Sequence, residues 1–308
     1  MNTLGHTLRL TTFGESHGAA LGGVLDGLPA GLRIDPERVA AALTRRREGD
    51  CGQEAVTARR EPDPVEWLSG LLEGVTTGQP VGFVIRNRDV RSADYESLRT
   101  VCRPGHADYS WQQRYGLRDW RGGGRASGRE TATWVVAGSV ARQLCEQRWP
   151  HFDLQAEVDD RHCVTCRVTG VPAGVGNPLF DKLNARLAHA LMSIPSAIGF
   201  EMGAGFEAAT WEAEAWRDEW NSDGTTRSNH CGGVQGGVSN GMPITFRVAF
   251  HRPVTTPEMV CLSPEKGALE TVAAGGRHDR DHIGRLPVVV ESLACLVLGE
   301  LGMENCEL

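Results

Sequence analysis

A serine and a histidine stand side by side in the segment TTFGESHGAA, which runs from Thr11 to Ala20 of this 308-residue chain. It contains the pattern G-x-S-x-G of a hydrolase nucleophile elbow, in which a strained turn presents a serine above a sheet. A helix should follow such an elbow at once, yet the next residues, AALGGVLDGLPAG, predict a strand and a turn. The hydrolase interpretation therefore lacks its context, and we expect Ser16 to support the turn or a ligand beside the imidazole of His17.

The segment from Arg103 to Thr131, RPGHADYSWQQRYGLRDWRGGGRASGRET, is rich in groups that bind anions. Its three consecutive glycines let the backbone approach a ligand closely, and Ser127-x-x-Glu130 is the capping-box pattern of a helix start. Free N–H groups and a positive dipole end favour phosphate there, and Arg125 and Arg129 would add charge-assisted hydrogen bonds. Because the spacing fits neither a P-loop nor a Rossmann turn, we predict an anion-binding turn of another kind.

Two later segments also combine polar side chains with glycines. In SNHCGGVQGGVSNGMP, the paired glycines beside Asn229 and His230 suggest a backbone that packs against a flat ligand. In GGRHDRDHIGRLP, the histidines and aspartates are of types that bind zinc or iron, but the arginines among them would repel a cation. We therefore expect an anionic ligand with Asp279 as a base, and no metal; a solvated loop is the alternative.

Composition and charge narrow the class of protein. The formal net charge of −7 argues against a nucleic-acid binder, because phosphate backbones attract basic surfaces. The longest apolar stretch, LPVVVESLACLVLG, is interrupted by Glu291 and is too short to span a bilayer, so it predicts a buried helix. The chain opens without a signal-peptide pattern, and the lone C-x-x-C of Cys163 and Cys166 lacks the second pair of a zinc ribbon. We expect a cytoplasmic protein with reduced structural cysteines.

Hydrophobic patterns predict the elements that position these groups. TLRLTTF, PVGFVIRN and PITFRVAFH are typical of strands. Asp35 and Pro36 predict a helix start, and this helix ends in the three arginines at 45–47. Further helices are predicted at 129–149, 178–192 and 286–301. Since no repeat or linker divides the chain, we expect a single mixed α/β domain over residues 1–308.

Taken together, the segments resemble the chorismate synthase family. The following motifs occur in the family's order from Thr11 to Ser292: TTFGESHG, DGLPAGL, RREPD, EGVTTGQPVGF, RPGHADYSWQQRYGLRDWRGGGRASGRET, GVPAGVGNPLFDKLNARLAHALMSI, SNHCGGVQGGVSNGMPI and GGRHDRDHIGRLPVVVES. The resemblance implies an α+β fold, a single-domain β-α-β sandwich that assembles as a homotetramer. It also implies a lyase of the shikimate pathway, which removes phosphate from 5-enolpyruvylshikimate-3-phosphate by 1,4-anti-elimination to give chorismate. Reduced FMN is required, without net redox change.

The matching motifs of that family also imply roles for single residues. His17 is expected to protonate the departing phosphate, His106 to protonate or hydrogen-bond the reduced flavin, and Asp279 to assist flavin N5 in taking the ring proton. An imidazole can donate a proton near neutral pH, which suits the first two roles. Substrate contacts are expected from Arg46, Arg129 and Arg285. Flavin contacts are expected from Arg125, Ala126, Ser127, Gly236, Arg252, Pro253, Val254, Thr255, Thr256 and Arg277.

The chain departs from the family pattern at three places. After Arg47 it has Glu48 where the family has Pro-Gly and a further arginine, at the position of an implied NADP contact. Pro195-Ser196 replaces the usual Asn-Ala, and the region 147–171 is shortened. Two interpretations stay open: a monofunctional synthase that takes reduced flavin from an external source, and a catalytically impaired paralogue that binds only flavin or anions.

Overall fold

The computed structural model describes residues 1–49, 59, 61–273 and 281–304. Across these ranges the chain forms two antiparallel sheets with a layer of helices between them, together with short two-stranded ribbons. The strands are β1 (Thr3–Leu4), β2 (Arg9–Gly14), β3 (Ala20–Asp26), β4 (Val65–Trp67), β5 (Leu71–Leu72), β6 (Val75–Thr76), β7 (Val81–Arg86), β8 (Asp153–Val158), β9 (Cys163–Thr169), β10 (Ala197–Met202), β11 (Val234–Gln235), β12 (Val238–Ser239), β13 (Ile244–Phe250), β14 (Glu258–Ser263) and β15 (Ala268–Ala273). The helices are α1 (Pro36–Glu48), α2 (Asp108–Tyr115), α3 (Thr131–Arg148), α4 (Leu183–Leu191), α5 (Ala213–Trp216) and α6 (Leu286–Glu304).

The first sheet has the strand order β1-β2-β3-β7-β4. Its second strand alternates as the sequence predicts, because Leu10 and Thr12 are buried while Arg9, Thr11 and Phe13 are exposed. Strand β3 pairs with both β2 and β7, so the turn between β2 and β3 lies next to the end of β7. This turn carries the GESHG sequence and is thereby placed at one edge of the sheet.

The second sheet has the order β10-β13-β9-β8 and confirms the predicted strand in PITFRVAFH. Every second residue of β13 is buried, in the pattern of a strand with one face on the core. Cys163 and Cys166 both lie on β9, where a spacing of three puts them on opposite faces. Cys166 is buried and Cys163 half-buried, which fits the structural role predicted for them.

Helices α3 and α6 pack against each other in the middle layer, with α3 contacting the first sheet and α6 the second. A Cβ at Gly138 would stand 2.2 Å from that of Ser292, so only glycine permits this close approach of the two helices. The segment Ile283–Glu304 is long and apolar enough to cross a membrane, but 94% of its most apolar window is buried inside the fold. The predicted buried core helix is confirmed, and the layers form the predicted β-α-β sandwich.

Helix starts agree with the sequence for α1 and α6 and differ in two other cases. Asp35 caps α1 by accepting hydrogen bonds from the amides of Glu37 and Arg38, at 2.9 and 3.4 Å. The helix predicted at 178–192 begins only at Leu183. The backbone amide of Leu183 donates to the carbonyl of Gly237, which is distant in sequence. The capping box predicted before α3 does not form either.

Candidate functional site

A cleft of about 620 Å³ opens where the turn after β2, the residues before α3, the loop after β13 and the start of α6 meet. Its size lies in the range of small-molecule sites, about 300–1,000 Å³. Among the described lining residues are the arginines Arg46, Arg47, Arg59, Arg91, Arg103, Arg125, Arg129 and Arg285. The carboxylates are Glu61, Asp63, Asp94, Asp108 and Glu130. Eight cations against five anions make this a cationic cleft in an acidic chain, and suit a ligand with several negative charges.

His17 lies half-buried on the wall of the cleft, in the turn between β2 and β3. Its Nδ1 lies 3.2 Å from the hydroxyl of Ser92, and its ring meets that of Tyr95 edge to face with 5.0 Å between centroids. On the other side, a Cβ at Gly122 would come within 2.7 Å of Nε2 of the imidazole. The ring is therefore held in one orientation, and the first glycine of the GGG run makes room for it.

Ser16 is not exposed above a sheet. Its side chain is only 3% accessible, and its hydroxyl lies 3.2 Å from Nη1 of Arg59, which also donates to the Ser16 carbonyl at 2.9 Å. The Ser16 amide donates to the carbonyl of Gly124, which ties the turn to the residues before α3. The structure confirms that Ser16 supports the turn, and a buried hydroxyl held by an arginine excludes the nucleophile elbow.

His106 lines the cleft as well, in the loop before α2. Its Nδ1 lies 2.9 Å from the carbonyl oxygen of Pro104, which can only accept a hydrogen bond, so Nδ1 carries a proton. Its Nε2 lies 3.3 Å from the hydroxyl of Thr255. The neutral ring therefore accepts at Nε2, and the charged ring donates there, which is where this residue can exchange a proton with a ligand.

A buried ion pair supports the His106 loop from beneath. Arg103 donates to both carboxylate oxygens of Asp108, through Nε at 2.9 Å and Nη2 at 3.1 Å, and its own amide donates to the same group. Burial alone would raise the pKa of Asp108, but the hydrogen bonds and charge of Arg103 outweigh it and lower that pKa. The carboxylate stays ionised, so the loop is fixed at both of its ends.

The start of α3 supplies amides and cations to the cleft. Arg46 is buried and donates from Nε to the hydroxyl of Thr131 at 2.8 Å and from Nη2 to the carbonyl of Gly128 at 2.7 Å. Arg129 pairs with the buried Asp63 at 2.7 Å. The positive end of an 18-residue helix thus meets the predicted substrate arginines at one wall.

The predicted capping box at this helix is wrong because its glutamate is used elsewhere. Ser127 accepts a hydrogen bond from the amide of Arg129 at 3.4 Å in a 3-10 turn, and α3 begins after that turn. The carboxylate of Glu130 instead faces Arg125, with 3.2 Å between the charged groups. Burial raises the pKa of Glu130, while hydrogen bonds from Thr12 and Arg125 oppose this shift.

The loop with Pro195-Ser196 lines another side of the cleft, together with His251 and His282. Ser196 adopts a left-handed backbone conformation, with φ of 74°, which is uncommon for a residue other than glycine. Its hydroxyl lies 2.7 Å from Nε2 of His282, and its carbonyl accepts from the amide of His251 at 3.0 Å. The substitution noted in the sequence therefore places a hydroxyl on the cleft that pairs with a histidine in the turn before α6.

The cleft brings together most of the residues predicted for the site. Those that line it are His17, Arg46, His106, Arg125, Ala126, Ser127, Arg129, Pro253, Val254, Thr255 and Arg285. Arg252 and Thr256 flank this group without lining the cleft, and Gly236 lines a second cavity of about 630 Å³ with Trp216 and Trp220. Asp279 and Arg277 lie outside the described residues. Their roles, like those of the lining residues, remain predictions.

The glycines of SNHCGGVQGGVSNGMP have a different purpose from the one predicted. A Cβ at Gly232 would stand 2.5 Å from the amide nitrogen of Gly203, one at Gly233 would stand 2.5 Å from the carbonyl oxygen of Pro243, and one at Gly237 would stand 2.6 Å from that of Asn177. These glycines let the segment pack against neighbouring backbone. The flat-ligand interpretation is wrong for the three, and only Gly236 of the two pairs has open space beside it.

Sequence reasoning missed several residues that shape the cleft. Asn87, Ser92 and Tyr95 come from NRDVRSADYESL, which directly follows strand β7 and holds no histidine or glycine run. A polar side chain at the end of a buried strand was the available signal. Among the described residues no group of three or more histidines, cysteines and carboxylates could hold a metal ion.

Comparisons with known proteins agree on one family. The chorismate synthase family model matches residues 8–160 and 162–303 of the chain. A chorismate synthase of Christiangramia forsetii is 41% identical and is aligned over 99% of this chain and 98% of its own length. One from Nitratidesulfovibrio vulgaris strain Miyazaki F is 42% identical over 97% of each chain. A solved structure described as a crystal structure of chorismate synthase covers 98% of this chain and 93% of its own, with a TM-score of 0.74 and 26% identity.

Proposed function

Because the chain belongs to the chorismate synthase family of lyases, we propose that it converts 5-enolpyruvylshikimate-3-phosphate to chorismate and phosphate in the cationic cleft, with reduced FMN as its cofactor. The observation that carries this proposal is the presence of His17 and His106 on one cleft beside the start of α3. The substrate has one phosphate and two carboxylates, and FMN adds another phosphate. A cleft in which eight arginines outnumber five carboxylates fits both molecules.

The cleft also has the chemistry that a flavin requires. The apolar side chains of Trp111, Trp134, Ile194, Val254 and Leu286 line it and offer flat surface for a ring system. Gly128, in the 3-10 turn just before α3, has open space where a Cβ would stand, so a phosphate can approach its backbone closely. Reduced FMN, when bound, supplies electron density to the substrate ring as phosphate leaves, and no net oxidation results.

The chain's own residues would bind the substrate and move its protons. Arg46, Arg129 and Arg285 hold the anionic groups, and His17 donates a proton to the departing phosphate oxygen. The Ser92 hydroxyl at Nδ1 holds the His17 ring in position for this transfer. His106 presents Nε2 to protonate or hydrogen-bond the reduced flavin, because the carbonyl of Pro104 holds the proton at Nδ1. Asp279, outside the described residues, is expected to assist in removing the ring proton.

A catalytically impaired relative that binds only flavin or anions is the second candidate. The C. forsetii alignment runs over 348 positions, so that relative has at least 40 residues with no counterpart among the 308 of this chain. The shortened region predicted at 147–171 runs from the end of α3 through β8 and β9, and none of its residues lines the cleft. We favour the active enzyme because the cleft retains both of them.

Anaerobic turnover with chemically reduced FMN separates the two candidates. An active synthase releases phosphate and chorismate in equal amounts, and an impaired relative retains flavin without releasing either. Ser16→Ala provides a control for the hydrolase alternative, since the synthase keeps its flavin-dependent turnover in this variant and a serine hydrolase would lose its activity.

Further expectations from the family accompany this proposal. We expect a cytoplasmic homotetramer that receives reduced flavin from an external source. The family also implies an NADP contact, but the arginine expected after Arg47 is replaced here by a segment with Glu48, which removes that cation. Most of that segment, residues 50–58, lies outside the described residues.

A further inference from the structure

Asn87 stands directly after β7, at the edge of the first sheet where the His17 turn lies. Its backbone N–H donates to the carbonyl of Ala19 at 3.1 Å. This bond continues the pairing of β3 with β7 beyond Ala20 and Arg86. Asn87 is half-buried and does not line the cleft. Its backbone therefore fixes the far end of the turn, and its side chain points back across it.

The side-chain nitrogen of Asn87 holds the turn that carries His17. Nδ2 donates to the carbonyl of Glu15 at 3.0 Å and to that of Gly18 at 2.9 Å. These two carbonyls lie on either side of His17 in the chain. A turn of five residues cannot satisfy all its own backbone groups, so these donors fix its shape and with it the position of the imidazole.

The side-chain oxygen of the same amide faces two arginines of the cleft. Oδ1 accepts from Nη2 of Arg59 at 3.2 Å and from Nε of Arg129 at 3.2 Å. A carboxamide has two N–H donors and an oxygen that accepts two hydrogen bonds, and Asn87 uses all four. One small group thereby connects the turn of the proposed proton donor to an arginine of the proposed substrate site.

We infer that Asn87 is a positioning residue for the proposed reaction, which sets the distance between His17 and the guanidinium of Arg129. Because Asn87 does not line the cleft, it would act on the reaction through these two residues. The inference rests on the proposed function, in which His17 protonates the phosphate that the arginines hold. A displacement of about 1 Å between a catalytic group and its target can lower a rate about 100-fold.

Two variants separate the effect of the Asn87 side-chain nitrogen from that of its oxygen. Asn87→Asp keeps an acceptor for the arginines but turns electron pairs toward the carbonyls of Glu15 and Gly18, so the turn must move. We expect kcat to fall about 100-fold in this variant, with KM within about threefold of the parent. Asn87→Leu removes both the donors to the turn and the acceptor for the arginines. We expect kcat to fall in this variant too, and KM to rise by about tenfold.

Matched controls are available on an exposed loop. Asn221 donates from its side chain to Thr225 only, among its described contacts, and does not line the cleft. Asn221→Asp and Asn221→Leu should leave kcat and KM unchanged. A merely structural role for Asn87 would lower the melting temperature of both Asn87 variants without the split between kcat and KM.

A measurement without turnover completes the test. In protein labelled at the 13Cε1 atom of histidine, the His17 signal is assigned by its loss in His17→Gln. We expect this signal to shift in Asn87→Asp and to stay in place in Asn221→Asp. An unshifted signal, or parent-like kcat in Asn87→Asp, overturns the inference. A parent protein that makes no chorismate overturns the proposed function instead, and the NMR result still decides the role of Asn87 in holding the turn.

Discussion

The hydroxyl of Thr255 lies 3.3 Å from Nε2 of His106, although 149 positions separate the two residues in the chain. The carbonyl of Pro104 accepts a hydrogen bond from the other ring nitrogen, so Thr255 marks the atom at which His106 can exchange a proton. Both residues were expected near the flavin from separate motifs. Their contact shows that the loop before α2 and the loop after β13 form one wall of the cleft.

His106→Ala tests the proton exchange at that atom. General acid–base groups contribute about 100-fold to 10,000-fold, so turnover with reduced FMN should fall by at least about 100-fold. FMN affinity, measured from the quenching of flavin fluorescence, should stay within about threefold of the parent because charge and apolar surface bind the flavin. Thr255→Val should cost about tenfold in turnover, since it removes one hydrogen bond and leaves the imidazole in place. Parent-like turnover in His106→Ala would remove His106 from the mechanism.

Gly122→Ala tests the packing of His17. The added Cβ would stand 2.7 Å from Cδ2 and Nε2 of the imidazole, so the ring must shift and turnover should fall about 100-fold. Gly116→Ala is the matched control, because Gly116 also has a positive φ, 73°, but has no atom within 4 Å of an added Cβ. The two variants should lose similar melting temperature from backbone strain, and only Gly122→Ala should lose turnover. Equal turnover in both variants would contradict the prediction.

Glu130→Gln tests how strongly the carboxylate of Glu130 neutralises the charge of Arg125. The Glu130 carboxylate partly neutralises Arg125 across 3.2 Å, so its removal should strengthen FMN binding by up to about fivefold. Burial raises the pKa of Glu130 above its ordinary 4.5, so the stability that this group contributes is present below pH 4.5 and is lost as the pH rises through the folded pKa.

The melting temperature of Glu130→Gln at pH 7 should therefore equal or exceed that of the parent. As the pH is lowered to 4, the melting temperature of the parent should rise relative to that of the variant. Thermal unfolding at both pH values checks this relation. Weaker FMN binding in the variant would show that Arg125 needs its carboxylate partner to face the ligand.

Asp218→Asn tests the loop that borders the second cavity. Burial would raise the pKa of Asp218, but hydrogen bonds from Ser228 and from the amides of His230 and Cys231 outweigh it and lower the pKa from 3.8 to about 2. Since the folded pKa is depressed, the stability from this carboxylate is present above pH 3.8 and is lost as the pH falls toward 2.

The variant should melt below the parent at pH 7, and the difference should shrink between pH 4 and pH 2. Asp160→Asn, an exposed position on the turn after β8, is the control that should melt like the parent at each pH. A difference that stays constant down to pH 2 would mean that the carboxylate's charge does not stabilise the loop.

Local patterns predicted the strands and most of the helices correctly. The alternation in TLRLTTF and PITFRVAFH depends only on which face of a strand meets the core, and the Asp35 cap depends on atoms within four residues. The helix at 178–192 was predicted five residues too long at its start. There a contact from distant Gly237 takes the first amide, and no local pattern contains that information.

The same division applies to the site. The motifs singled out His17, His106, Arg46, Arg125, Arg129 and Arg285 by residue type and spacing, and the fold brings these six to one cleft. The partners of these residues were not predictable in this way. Glu130 was expected to cap its helix and instead faces Arg125, since packing brings the two side chains together after one turn.

The sequence by itself determined the types of element, the family and the residues able to transfer protons or hold anions, since all of these depend on residue identity and local spacing. Only the tertiary structure decided which of them share a cleft, that Gly232, Gly233 and Gly237 serve backbone packing, and that Asn87 joins the His17 turn to Arg129. The reason is physical: a hydrogen bond or a steric contact acts over about 3 Å. Residues 42 to 72 positions apart reach that distance only after the sheets and helices have packed.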